Sequence, residues 1–141
     1  MCGVSLPSRV RYNSPMRTFA ISATARSYPT LPYARIKDDI LGNTYRLSLV
    51  FIGEVRARRL NMTYRKKAYA PNVLSFPLDR HRGEIFISHT VAKREAKRHN
   101  MTTRGYVGRL FIHGCLHLRG VPHGARMDTL EQKYLKKYRL L

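Results

Sequence analysis

The stretch TRGYVGRLFIHGCLHLRGVPH, from Thr103 to His123, predicts a long helix, 103–119, that ends in a tight turn. Apolar or small residues recur in it at helical spacing and form one buried stripe: Val107, Leu110, Phe111, Gly114 and Leu118. Gly120 can end the helix in the left-handed conformation that other residues avoid. A helix of this length with a continuous apolar stripe is expected to be the central helix of the fold.

Three histidines in the same stretch form a pattern typical of a catalytic metal site. His113 and His117 are four residues apart, so their rings project from one face of a helix. After Gly120 the chain can double back and bring His123 to the same point. Three neutral imidazoles leave the fourth position of a zinc ion open, so the spacing predicts one catalytic Zn2+ per chain. Zinc held in this way lowers the pKa of a coordinated water to roughly 7.

The residue after the first histidine separates two classes of metal enzyme. Metzincin proteases share this ligand spacing, but a glutamate follows their first histidine and acts as the general base. Here that position is Gly114, which cannot take a proton from water. Cys115 is two residues from both helical histidines, so it is expected on the far side of the helix as a core residue. The pattern therefore disfavours a protease.

The charge balance favours a polyanionic partner. The 141 residues include 27 Lys and Arg against 8 Asp and Glu, a formal net charge of +19. Such an excess repels itself unless a polyanion is near, so nucleic acid is the expected partner, with a merely solubilising surface as the alternative. No apolar run approaches the roughly 20 residues that span a bilayer, so no membrane partner is expected. Because attack on a phosphodiester builds negative charge that arginine can stabilise, the chemistry points to phosphodiester hydrolysis.

Around the central helix, strand-like and helix-like runs alternate, which indicates an α+β domain. Strands are predicted at 18–24, 45–53, 73–78 and 84–88, and the last two are close enough to form a hairpin. Further helices are predicted from 32 to the stop at Gly42, and at 54–65, 91–99 and 126–140.

The N-terminal segment differs in composition from the rest of the chain. Residues 1–37 contain no acid, and Pro7, Pro15, Pro29 and Pro32 interrupt them. We therefore divide the chain into a basic N-terminal extension, 1–30, and a catalytic domain, 31–141. A transit peptide, a translation start at Met16 and a basic arm that touches RNA all remain open for the extension. Cys2 and Cys115 do not suggest a disulfide framework, so the cytoplasm is the expected compartment, or an organelle if the N-terminus is a transit peptide.

Several motifs in order resemble the YbeY-type endoribonucleases, a family of ribosomal RNA maturation factors. HGCLHLRG followed by His123 is similar to the family signature H-G-x-L-H-L-x-G-Y-D-H. LNMTYR at 60–65 and APNVLSFP at 70–77 resemble the family's L-N-x-x-Y-R and T-N-V-L-S-F-P block. RGEIFIS at 82–88 resembles its L-G-D-I-x-I-s strand, and Met127 with Glu131 its closing M-x-x-x-E helix. Order and spacing agree over roughly residues 45–135.

The resemblance implies a small mixed β-sheet surrounded by helices, with the zinc site on the central helix and the following turn. It implies a zinc-dependent, single-strand-specific endoribonuclease of ribosomal RNA, above all of the 3′ end of the small-subunit RNA. It also implies a role in ribosome assembly or quality control, with the ribosomal subunit or assembly proteins as partners. The zinc ligands carry over to His113, His117 and His123, and the catalytic arginine to Arg65.

The position of Arg65 in the sequence also supports a catalytic role. It is the last residue of a predicted helix, just before the link to a strand, where a side chain can reach a cleft. The basic residues beside it are expected to contact phosphates without selecting a sequence: Arg58, Arg59, Lys66 and Lys67. Tyr64 and Phe76 are candidates for base stacking, although core positions are expected for both. The alternative function is a non-catalytic, zinc-stabilised RNA-binding assembly factor, which the open coordination position disfavours.

The chain departs from the family pattern directly before the last histidine. The family's Tyr-Asp pair is Val121–Pro122 here, and only 124–126 separate His123 from Met127. If the family's aspartate orients a ligand or a water, the polar groups around the metal differ in this chain.

Overall fold

The computed structural model describes residues 18–24 and 27–141, and this part of the chain confirms the α+β class. In chain order its elements are β1 (Phe19–Ala23), α1 (Tyr33–Leu41), β2 (Arg46–Ile52), α2 (Glu54–Arg65), β3 (Val73–Asp79), β4 (Arg82–Ser88), α3 (His89–Arg98), α4 (Thr103–Arg119) and α5 (Ala125–Lys137). Within these residues no helix is both long enough and apolar enough to cross a membrane.

The four strands form one mixed sheet in the order β1-β2-β4-β3. The pairs β1 with β2 and β2 with β4 are parallel, whereas β3 runs antiparallel to β4 as the predicted hairpin. The edge position of β3 accommodates Pro77, which has no N–H to donate to a second neighbour. The mixed sheet expected from the resemblance is therefore present.

Strand β1 lies within the segment predicted as the N-terminal extension, 1–30. Its residues pair in register with β2, and Phe19 packs edge-on against Phe111 with ring centroids 6.3 Å apart. Tyr28 stacks on Phe51 at 4.6 Å. Within the described part of the predicted extension, these apolar side chains therefore contribute to the sheet and its core. Residues 1–17 and 25–26, including the alternative start at Met16, lie outside the described residues.

Helices cover both faces of the sheet, and α4 is central among them. Strand β2 is buried on both faces because alternate side chains point into two different cores. Leu47, Leu49 and Phe51 enter the main core beneath α1 and α4, whereas Val50 and Ile52 enter a smaller core beneath α2. This arrangement places the end of α2 and the middle of α4 on the two sides of β3.

Candidate metal centre

The C-terminal turn of α4 has the left-handed geometry that the sequence predicts. Gly120 has a φ of +102°, and its N–H donates to the carbonyl oxygen of His117. The Val121 N–H donates to the carbonyl oxygen of Leu116 at 3.0 Å, which closes the helix. The Val121 side chain lies in the main core. The turn is therefore fixed both by its glycine and by an apolar anchor.

This turn brings the three histidines together. Nitrogen atoms of His113, His117 and His123 all lie within 4.8 Å of one another. Their ring centroids are 4.4 Å apart for His113 and His117, 4.4 Å for His117 and His123, and 5.2 Å for His113 and His123. His113 and His117 are half-buried and His123 is exposed. The trio is close enough to hold one metal ion.

A buried carboxylate orients the first of these rings. Oε2 of Glu131, on α5, lies 2.5 Å from Nδ1 of His113, and Nε of Arg109 donates to Oε1 of Glu131 at 3.2 Å. Burial opposes ionisation of Glu131, but the contacts with His113 and Arg109 outweigh it and hold its pKa below its ordinary value. A carboxylate on Nδ1 leaves Nε2 of His113 as the free ligand atom, an arrangement that recurs in metal sites.

The electrostatics also favour a metal. Burial, and then the neighbouring His113 and His123 rings, lower the pKa of His117, so its neutral form predominates more readily. Neutral imidazole is the form that binds a metal. Three such donors suit zinc, although copper, iron and nickel accept them too. The residues present therefore fit a transition metal.

The three histidines form part of the wall of a cleft of about 470 Å³. The rest of its wall comes from the end of α2, the following loop and β3: Arg65, Tyr69, Asn72, Val73, Leu74 and Ser75. Arg65 is the last residue of α2, because Lys66 adopts the left-handed conformation with a φ of 56° and ends the helix. Among the residues that the structure describes, no carboxylate pairs with Arg65. Its guanidinium is thus available to an anion in the cleft.

The other basic residues predicted to bind RNA lie outside the described wall of the cleft. Arg58, Arg59, Lys66 and Lys67 are all exposed, on α2 and the turn that follows it. Arg58 lies 3.8 Å from Glu54, a carboxylate that also pairs with Arg94 at 3.0 Å. The structure therefore separates Arg65, which faces the histidines, from a basic surface beside the cleft.

Residues with expected core roles are found in the core. Phe76 is buried and packs edge-on against Tyr64 at 5.4 Å, so neither ring faces the cleft. Cys115 is buried, away from the histidine trio. At position 114 a Cβ would lie 2.9 Å from Oγ of Ser75 and 3.0 Å from Cδ1 of Ile85, so any larger residue there requires these side chains to shift.

Comparison with known proteins identifies the family. A sequence profile described as Endoribonuclease YbeY matches residues 20–139. The chain belongs to the YbeY family. Its relatives include an Endoribonuclease YbeY of Polynucleobacter asymbioticus, 35% identical over 64% of this chain and 64% of that protein. Another, from Bordetella petrii, is 38% identical over 67% of each chain. This chain thus spans about two thirds of the length of the curated relatives that it matches.

A solved structure supports the fold of this YbeY family member. The solution structure of TM1509 from Thermotoga maritima matches with a TM-score of 0.63 and 22% identity. The match covers 86% of this chain and 91% of that one, which shows a shared architecture.

The chain departs from the YbeY signature at Val121–Pro122, and Glu131 has a role that the signature does not predict. Val121 takes the place of the signature's tyrosine and is buried, whereas Pro122 takes the place of its aspartate and is exposed. Glu131 was predicted only as part of a closing motif, with no role. One sign was available in the sequence: Glu131 is a lone acid on the apolar face of α5, four residues after the buried Met127.

Proposed function

We propose that this chain is a zinc-dependent endoribonuclease that cleaves single-stranded ribosomal RNA, above all at the 3′ end of the small-subunit RNA. We further propose that it acts in ribosome assembly or quality control, in the cytoplasm, with the ribosomal subunit or assembly proteins as partners. The observation that carries the nuclease proposal is that Arg65 and the three histidines line one cleft. The names of the relatives support the same activity.

Each residue of the cleft has a separate role in this proposal. His113, His117 and His123 would hold the metal, which when bound activates water and polarises a phosphoryl oxygen. The guanidinium of Arg65 donates to the oxygens of the scissile phosphate, where it stabilises the charge that develops during attack. Glu131 keeps the His113 ring in one orientation and one tautomer.

The number of protein ligands favours an enzyme over the alternative, a non-catalytic assembly factor with structural zinc. Structural zinc sites usually have four protein ligands. In the described part of the chain, no further His, Cys, Asp or Glu joins the three histidines. If the zinc-loaded chain binds RNA tightly but cleaves none, the assembly-factor function replaces the enzyme.

Replacement of Arg65 tests the proposal most directly. We expect Arg65→Ala to lower the rate of single-stranded RNA cleavage by roughly 10²- to 10³-fold, since it removes a donor to the developing charge. Arg65→Lys should restore only part of the rate, because an ammonium lacks the bidentate geometry. The rate is measured at fixed ionic strength with one labelled RNA, single-stranded and as a duplex.

Arg98→Ala is the matched control, because Arg98 is an exposed arginine that likewise ends a helix, α3, and lies outside the described wall of the cleft. It should cleave at nearly the rate of the parent. Equal rates for Arg65→Ala and the parent, or faster cleavage of the duplex, would contradict the proposal. The end groups of the products then distinguish attack by water from attack by the 2′-hydroxyl.

A further inference from the structure

Tyr69 is an aromatic residue whose side chain remains available at the cleft. It lines the same cleft as Arg65 and the three histidines, and it is 55% exposed. The other described tyrosines are buried or half-buried. Among the described residues, the Tyr69 ring makes no ring contact and its hydroxyl makes no hydrogen bond. An aromatic face is therefore presented to whatever occupies the cleft.

The backbone that carries this ring is fixed from the side of α2. Asn61 is fully buried, and its Nδ2 donates to the carbonyl oxygen of Tyr69 at 2.9 Å. The N–H of Lys67 donates to the carbonyl oxygen of Asn61, which tightens the turn that leaves the helix. The exposed ring thus belongs to a loop whose backbone is held in place by hydrogen bonds.

The loop is also fixed on its other side. Pro71 is buried, and Nδ2 of Asn72 donates to Oε1 of Glu95 at 2.8 Å. The carbonyl oxygen of Asn72 accepts from the N–H of Ser88 at 3.0 Å. Every one of these contacts around Tyr69 uses the backbone or a neighbour, so none of them requires the phenol ring. The ring therefore has no visible part in holding the fold.

We propose that the ring of Tyr69 is a stacking platform for an unpaired base of the RNA in the cleft, beside the phosphate that Arg65 contacts. This inference rests on the proposed function, because it takes RNA as the occupant. A base in an open strand exposes its π-face to an aromatic side chain, and such stacking tolerates any base. In a duplex those faces are covered by neighbouring base pairs. Tyr69 would thus contribute to the preference for single strands.

We expect the ordered loop to strengthen stacking on Tyr69, compared with the same ring on a loop that becomes ordered only when RNA binds. Because Asn61 and Asn72 hold the backbone before RNA arrives, binding loses little loop entropy. The contact is also apolar, so it should add affinity without any counterion release. The dependence of RNA affinity on salt concentration therefore distinguishes stacking on Tyr69 from phosphate binding by the basic residues.

The test is an equilibrium measurement with the full-length, zinc-loaded chain. A short fluorescent oligoadenylate and a chain of abasic ribose phosphates of equal length are the two probes, and binding is read from the initial fluorescence change, before a gel detects any cleavage. We expect Tyr69→Ala to weaken oligoadenylate binding by roughly 5- to 150-fold. Tyr69→Phe and Tyr69→Trp should bind like the parent, since both keep an aromatic face. The parent and Tyr69→Ala should bind the abasic probe equally.

Two controls separate stacking from a change in fold or charge. Met62→Ala removes another exposed apolar side chain, 49% exposed and outside the described wall of the cleft, and should bind like the parent. The salt dependence of binding should keep its slope in Tyr69→Ala, whereas a lost phosphate contact reduces the slope by about one. Unweakened oligoadenylate binding by Tyr69→Ala, or an equal loss with both probes, overturns the inference.

Failure of this inference differs from failure of the proposed function. If the chain cleaves RNA but Tyr69→Ala binds as the parent does, stacking is wrong and the nuclease stands. If binding depends on Tyr69 but the zinc-loaded chain cleaves nothing, the nuclease is wrong and stacking stands. If the zinc-loaded parent binds neither probe, both are wrong.

Discussion

Glu131 links the helix that carries two candidate metal ligands to the last helix of the chain. Its carboxylate contacts both His113 and Arg109 of α4, and its side chain is only 5% exposed. A buried carboxylate beside a ligand histidine fixes the ring and raises its basicity as a donor. Glu131 is therefore a positioning residue, because it acts on the metal through His113.

We predict that Glu131→Ala weakens zinc binding by roughly 10- to 100-fold, because the His113 ring loses its partner. Glu131→Gln should have a smaller effect, since its amide oxygen still accepts from Nδ1–H. Competition with a chromophoric chelator measures the affinity, and circular dichroism reports whether the variants fold.

Glu54→Gln provides the control for this change, because Glu54 is an acid that pairs with Arg58 and Arg94 at the surface. It should leave zinc affinity unchanged. Zinc affinity of folded Glu131→Ala equal to that of the parent would show that Glu131 does not position His113.

At the scale of the elements, α4 lies unusually close to the sheet at Gly114. Oγ of Ser75, on β3, donates to the carbonyl oxygen of Gly114 at 3.2 Å. This contact joins the middle of α4 to β3, and Ser75 also lines the cleft with His113 and His117. The glycine is thus required by packing, since its φ lies in the ordinary helical range.

We predict that Gly114→Ala lowers the free energy of unfolding by about 1–2 kcal/mol. The added methyl crowds Ser75 and Ile85, which costs about 1–3 kcal/mol, while helix propensity returns up to about 1 kcal/mol. Urea denaturation measures the difference. Gly53→Ala is the comparison, because nothing lies within 4 Å of a Cβ at that position. A Gly114→Ala variant more stable than the parent would contradict the close packing.

The elements also show how much the sequence alone could predict. The bounds of α2 and α4 match the prediction, because Arg65 and Arg119 are each followed by a residue in the left-handed conformation. Helix α3 begins two residues before its predicted start, because Oγ of Ser88 accepts from the Val91 N–H and caps it. Helix α5 ends three residues before its predicted end. There Arg139 has a φ of 54°, and the N–H of Leu140 donates back to Leu135.

Some features of the candidate site can also be predicted from local sequence, whereas others depend on contacts between distant segments. The histidine trio follows from spacing within one helix and one turn, so the sequence predicts it. The pairing of Glu131 with His113 depends on how α4 and α5 pack, which no local pattern specifies. The strand order β1-β2-β4-β3 likewise depends on pairing between distant segments.

At the scale of the whole molecule, a contact between α1 and the end of α5 joins two elements that are far apart in the sequence. Asp39, at the end of α1, accepts from Lys137 and from the hydroxyl of Tyr138, the latter at 2.6 Å. The hydrogen bonds from Lys137 and then from Tyr138 hold the pKa of Asp39 below its ordinary value of 3.8. The ionised form therefore stabilises the fold above that value, and this contribution is lost as the pH falls through the lower folded pKa.

We predict that Asp39→Asn lowers the free energy of unfolding by roughly 0.5–1 kcal/mol at neutral pH, as expected for a partly exposed ion pair. The difference from the parent should shrink as the pH falls below 3.8, because the carboxyl of the parent then takes up a proton and loses its charge. Urea denaturation of both proteins over a series of pH values from neutral to acid measures it.

The adjacent lysines of α5 supply a matched pair for this contact. Lys137→Met should lose a similar free energy of unfolding, whereas Lys136→Met should not, because of these two lysines it is Lys137 that contacts Asp39. Equal stability of all three variants at neutral pH would show that the contact is not formed in solution.

Metal titration of RNA cleavage tests the central claim most directly, because it joins the histidine trio to the proposed activity. The chain is treated with a chelator and cleavage of a single-stranded RNA is followed as zinc is returned, at constant ionic strength. We predict that activity is abolished by the chelator, rises in proportion to zinc and levels off at one equivalent per chain, and that His123→Ala does not recover. Undiminished cleavage by the metal-free chain would contradict the account.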